Sequence, residues 1–211
     1  MRLNEQYNVA GSGVHVGMHT THHDGGGVPV QGELFIRMVD TTTGEVLHDE
    51  HRKNLIVLDA GILVAMLCRS PASRPTGINM LAVGTGATGA LLSPNAPDNR
   101  QRKLNAEIAR KGFSSTVFRD GSGVAVAYPT NIVDFTCTFG EAEAVGPINE
   151  MGLLSTISSN PAVRNPNPNT FPTRDTTVDV STLDILVNYI SLSVLSKPST
   201  ATLTITWRIT F

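Results

Sequence analysis

The final stretch of the chain, Ala201 to Phe211, restricts the fold more than any other. Leu203, Ile205, Trp207, Ile209 and Phe211 alternate without a break with Thr202, Thr204, Thr206, Arg208 and Thr210. A strand sends successive side chains to opposite faces, so the pattern predicts a strand with one buried apolar face and one wetted face. Thr and Ile suit such a pleated, half-buried surface. Trp207, the only tryptophan, falls among the buried positions and brings a large apolar area with it. Phe211 continues the same side, so the terminus is expected to be held in the sheet with Phe211 in the core.

Strand signals recur along the chain. Gly32 to Val39 reads as a strand, Asp40-Thr41-Thr42-Thr43-Gly44 as a turn with Gly44 at positive φ, and Glu45 to His48 as the return. Asn54 to Leu58 reads as a further strand. Asp59 then caps a helix with Ile62, Leu63, Met66 and Leu67 on one face, ended by Pro71 and Pro75. Ile78 to Val83 is a short apolar strand, and Leu104 to Arg110 a helical turn or a short strand. Gly112 to Arg119 and Val124 to Tyr128 flank the turn Asp120-Gly121-Ser122-Gly123 as a hairpin. Asn131 to Phe139 alternates cleanly, and Leu183 to Leu195 changes face near Tyr189, which predicts a bulge. Asn160 to Pro172, with its four prolines, reads as an exposed loop or extended arm. The expected fold is mainly β: an antiparallel, jelly-roll-like β-sandwich with one short helix and an extended N-terminal arm.

The arm is residues 1–30 and the sandwich domain residues 31–211. The arm carries Gly11, Gly13, Gly17 and Gly25-Gly26-Gly27, with His15, His19, His22 and His23, and few large apolar residues. Such a segment cannot build a core of its own and is expected to lie against another subunit.

Composition excludes several functions. Charged residues are 16% of the 211 and the formal net charge is −2, which argues against a nucleic-acid binder that neutralises many phosphates. Arg100, Arg102, Lys103, Arg110 and Lys111 form the densest basic spot and read as a solvated helix face. No apolar run is long enough to span a membrane, since Asp59 and Gly61 interrupt Leu55 to Cys68. No secretory signal is expected at the N-terminus. Cys68 and Cys137 lie in apolar surroundings and read as buried, reduced thiols.

Gly84-Thr85-Gly86-Ala87-Thr88-Gly89 is a literal G-x-G-x-x-G after a strand, the pattern of a dinucleotide-binding turn. The adjoining stretch Ala90 to Asn99 holds Pro94 and Pro97 and no amphipathic helix, so the series reads as a tight turn and no cofactor is expected. His15, His19, His22 and His23 are candidate metal ligands by residue type, at a spacing that fits no established motif. They read as subunit-packing or solvated histidines. No pattern for nucleophilic or metal-assisted catalysis is present, and a non-enzyme is expected. Glu141, Glu143 and Glu150 are the carboxylates to weigh for sugar hydrolysis. Glu141 and Glu143 fit solvated loop residues better. Glu150, in an apolar run, fits a buried structural acid that accepts backbone N–H bonds.

An ordered series runs through the domain: Gly44-Glu45-Val46, Asn54-Leu55-Ile56-Val57 with Ala60-Gly61, Gly84-Thr85-Gly86, Leu104 and Glu107. It continues with Ile148-Asn149-Glu150-Met151-Gly152-Leu153 and closes on Thr204-Ile205-Thr206-Trp207-Arg208-Ile209-Thr210-Phe211. From Gly44 onward this resembles a loose group of tailed-bacteriophage virion proteins. More distantly it is similar to the N-terminal attachment region of tail-collar fibre proteins, with their N-A-G-L … G-x-G … E-x-G-L series. The resemblance implies a structural protein of the virion, made in the bacterial host's cytoplasm and placed at the tail as a baseplate, collar or fibre-attachment piece. Expected partners are itself, as a homo-oligomer and most simply a trimer, and other virion proteins of tail or capsid. Trp207, Phe211, Glu150 and Gly152 are its expected core and assembly residues. A capsid decoration or cement protein is the close alternative. A carbohydrate-binding module is the alternative of another class, with Tyr128 and Tyr189 as candidate sugar-stacking residues.

Overall fold

A computed structural model describes residues 30–69, 77–86, 101–156 and 184–211. They form ten strands and one helix: β1 (Gln31–Asp40), β2 (Val46–Ile56), α1 (Asp59–Arg69), β3 (Met80–Gly84), β4 (Glu107–Gly112) and β5 (Ser115–Arg119), then β6 (Ala125–Val126), β7 (Ile132–Phe139), β8 (Gly146–Ser155), β9 (Ile185–Lys197) and β10 (Ala201–Thr210). All pairings are antiparallel. The strands make one sheet in the order β4-β3-β8-β9-β2-β1-β10-β7-β5-β6.

That sheet doubles back on itself at β2, which pairs along most of its length with β1 but through Leu55 and Ile56 with β9. The two halves share one apolar core. Leu34 and Ile36 of β1, Phe135 and Phe139 of β7 and Ile205 and Trp207 of β10 pack with Leu81 and Val83 of β3, Met151 and Leu153 of β8 and Ile190 of β9. The result is a mainly β, sandwich-like fold whose layers are continuous through one strand. A smaller cluster, including Met80, Ala82, Leu104, Leu186 and Tyr189, fills the opposite face of the β3-β8-β9 half. Strand β3 is therefore buried along its whole length.

Local chemistry explains the turns. Asp40 Oδ1 accepts from the N–H groups of Thr42 and Thr43 at 2.9 and 3.0 Å, and Gly44 takes φ +74°. Asp120 Oδ1 accepts in the same way from Ser122 and Val124, both at 2.9 Å. An aspartate that mimics a backbone turn in this way is the usual mechanism of such loops. Between β8 and β9 the register shifts twice, on either side of Tyr189.

Several expectations need correction. The return after Gly44 and the strand expected from Asn54 are one strand, β2, because the polar run between them pairs across both of its faces: Arg37 with Asp49 and Glu33 with His51 on one, His48 and Arg52 with Glu50 on the other. Of the two alternatives for Leu104–Arg110 the short strand holds: Glu107–Arg110 lie in β4, and Leu104–Ala106 lead into it. Helix α1 buries only Asp59, Ala60 and Leu63, leaving Leu67 and Cys68 exposed. Phe211 lies one residue beyond β10 and is 47% exposed, so it is not a core residue. Its backbone is nonetheless tied on both sides to Asn131, through Phe211 N–H to the carbonyl and Asn131 Nδ2 to Phe211 O, each at 2.9 Å.

Candidate interaction surface

The fold brings most of the singled-out residues into the interior. Trp207 is fully buried in β10, facing Leu34 across one ladder and Phe135 across the other. With the Asn188 side-chain oxygen turned inward, that oxygen accepts from Trp207 Nε1–H at 3.1 Å and from Asn54 Nδ2 at 2.6 Å. One amide thus joins β10, β9 and β2 where the sheet doubles back.

Glu150 of β8 is fully buried. Its Oε2 accepts from the Asn105 N–H at 2.9 Å and the Tyr189 hydroxyl at 3.0 Å, and its Oε1 accepts from the Ala106 N–H at 2.8 Å. Burial, with the Glu150 charge beside it, pushes the Tyr189 hydroxyl well above its ordinary range. The carboxylate pins the segment before β4 over the second apolar cluster.

The glycines around Glu150 have a steric role. A Cβ on Gly84 would lie 2.5 Å from Glu150 Oε1 and 2.6 Å from the Ala106 carbonyl. On Gly152 it would lie 2.6 Å from Leu186 Cδ1 and 2.9 Å from the Asn188 carbonyl. Gly86 takes φ +69°. The first two glycines of the G-x-G-x-x-G series thus serve a buried carboxylate and a turn, while Gly89 lies outside the described residues.

Two residues of the basic spot are not solvated, whereas Lys103 is exposed and Arg100 lies outside the described residues. Arg102 Nε meets Asp59 Oδ2 at 2.7 Å, and Arg110 meets Glu107 and Asp184 at 2.6 Å, all largely buried. Glu141 accepts from Thr41 Oγ1 at 2.7 Å. Glu143 accepts from the Gly140 N–H at 2.7 Å and from Lys111 Nζ. The Lys111 bond, then that backbone N–H, lowers its pKa. The three glutamates are therefore dispersed among separate structural contacts. Burial pushes the Cys137 thiol up to about 12, which keeps it protonated. Among the described residues no group of three or more His, Cys, Asp or Glu is placed to hold a metal ion. His15, His19, His22 and His23 lie outside them.

Of the two candidate sugar-stacking tyrosines, Tyr189 is fully buried and Tyr128 is 61% exposed. On the outer face of β1 and β2, the Phe35 and His51 rings stack 4.3 Å apart, with the Arg208 guanidinium 5.3 Å from Phe35. That stack runs along the sheet, so its inner ring faces are taken by protein groups.

Among the described residues, one groove is lined almost wholly by apolar side chains. Helix α1, packed on the core through Ala60 and Leu63, borders this groove of about 340 Å³ at the start of β1 and the end of β10. Ala60, Leu63, Val64 and Leu67 line one wall, and Val30, Ile56, Ile209 and Phe211 the other. Asn188 and the Cys68 thiol are the polar side chains among the lining residues. Val64 is 41% and Leu67 36% exposed along its rim. Sequence reasoning missed the groove because it assigned Phe211 to the core; the apolar face of Ile62, Leu63, Met66 and Leu67 was the available signal. No protein-family model matches the chain, and no curated protein matches it in sequence.

Proposed function

We propose that this chain is a structural component of a tailed-phage virion, placed at the tail end as a baseplate, collar or fibre-attachment piece. It acts by assembling with copies of itself and with neighbouring virion proteins rather than by catalysis. The observation that carries the reading is the apolar groove beside α1. Contiguous exposed apolar surface of this kind marks interaction sites. The buried carboxylates and arginines described above hold loops and strands, which fits a scaffold. The ordered series from Gly44 to Phe211 points to the virion as the setting.

Immunogold electron microscopy on intact virions, with antibody against this chain, tests the proposal. Label at the tail end is the expected result. Label spread over the head would make the chain a capsid decoration protein, and virions without label would overturn the structural reading.

A further inference from the structure

The groove opens beside the start of β1. Val30 forms part of its wall and β1 starts at the next residue, so residues 1–29 join the domain at the groove's rim. That segment contains Val14-His15-Val16-Gly17-Met18, with apolar residues at alternate positions. Drawn out as a strand, it carries all three on one face. We propose that the groove receives this segment from a neighbouring copy, so that subunits exchange N-terminal arms. The inference rests on the assembly reading above and adds to it the receptor site and the occupant.

Charge and size favour this occupant. No Asp, Glu, Lys or Arg occurs from Gln6 to His23. Of the groove's polar lining residues, Asn188 is engaged by Trp207 and Asn54. A neutral segment enters such a site without stranding a buried charge. A groove of about 340 Å³ suits a few aliphatic side chains rather than a folded domain. Reach is sufficient: the twelve residues from Met18 to Val30 span up to about 40 Å, against a radius of gyration near 16 Å for a domain of this size. An arm from one copy in the groove of the next is a head-to-tail contact, which closes into a ring when the rotation allows it. A trimer is such a ring.

The native Cys68 supplies the test, because it lines the groove and is exposed, whereas Cys137 is buried. Single cysteines are placed in the full-length chain as Val14→Cys, His15→Cys, Val16→Cys, Gly17→Cys and Met18→Cys. The mass of each variant is measured by light scattering, and each is then oxidised and run on a non-reducing gel. The expected result is loss of the monomer band to covalent multimers for positions 14, 16 and 18, little loss for 15 and 17, and no multimers once Cys68→Ala is added. Crosslinking within single chains would place the arm in its own groove and overturn the exchange. Multimers formed by the unsubstituted chain through Cys68 alone would seat a second helix α1 there and overturn it as well. Oligomers without crosslinks would sink this inference and leave the assembly reading standing, whereas a monomer at every concentration would sink both.

Discussion

Replacing Trp207 by alanine probes the joint between the two halves of the sheet. The side chain is fully buried between Leu34 and Phe135. A tryptophan buries about 150–250 Å², which at about 25 cal/mol per Å² is about 4–6 kcal/mol. Unfolded chains already bury part of that area, and aromatic-to-alanine changes in cores cost about 3–5 kcal/mol. The indole N–H adds a bond to Asn188, which Trp207→Phe removes while keeping most of the area. Asn188 then still holds Asn54, so the phenylalanine variant should lose about 1–2 kcal/mol. Urea unfolding followed by far-ultraviolet circular dichroism measures both variants, and a shift in midpoint at constant slope reports stability alone. Against a total stability of about 5–15 kcal/mol, the alanine variant should unfold at a much lower urea concentration. An alanine variant within about 1 kcal/mol of the parent would mean that β10 turns its apolar face outward. A phenylalanine variant as damaged as the alanine one would shift the weight from packing to the Asn188 bond.

Two further tests concern buried groups. Gly84→Ala forces a Cβ against Glu150 and the Ala106 carbonyl; it should cost about 1–3 kcal/mol and speed hydrogen exchange at the Asn105 and Ala106 amides, whereas unchanged exchange there would argue against the carboxylate pin. Burial, with Lys111 opposing and Glu143 adding, raises the Cys137 thiol from 9.0 to about 12, so the folded state holds that proton more tightly than the unfolded chain. Its contribution to stability is complete below pH 9 and is lost as pH rises toward 12; the stability difference between parent and Cys137→Val should be flat below pH 9 and shrink above it, and a difference that stays constant across that window would refute the assignment.

The elements with local causes were legible in the sequence. The β10 alternation, the two aspartate-headed turns, the start of α1 at Asp59 and the face change in β9 each depend on residues a few positions apart. What escaped depends on distant partners. The charged run Asp49 to Lys53 separates two expected strands in the sequence and joins them into one only once Arg37 and Glu33 lie beside it. Arg110 looks solvated until Asp184, 74 residues away, meets it. Gly84 looks like a turn or phosphate glycine until Glu150 fills the space where its side chain would be. The groove was hidden for the converse reason: hydrophobic periodicity marks which helix residues are apolar and says nothing of how many the core has room to cover.

The position of β10 between β1 and β7 has a kinetic consequence. Thr200, at the entrance to β10, bonds Asp40 at the end of β1 across a separation of 160 residues. The half-sheet formed by β1, β7 and β10 cannot be completed until almost the whole domain has left the ribosome. Until then the β1 and β7 edges lack their partner, and pairings of such long range are slow to form because loop closure precedes any gain in contacts. A chain cut short before Ala201 would leave β1 paired only with β2 and β7 only with β5, each with one open edge, a state prone to aggregate. Completion of the β1-β10-β7 half-sheet therefore waits on translation to the end of β10.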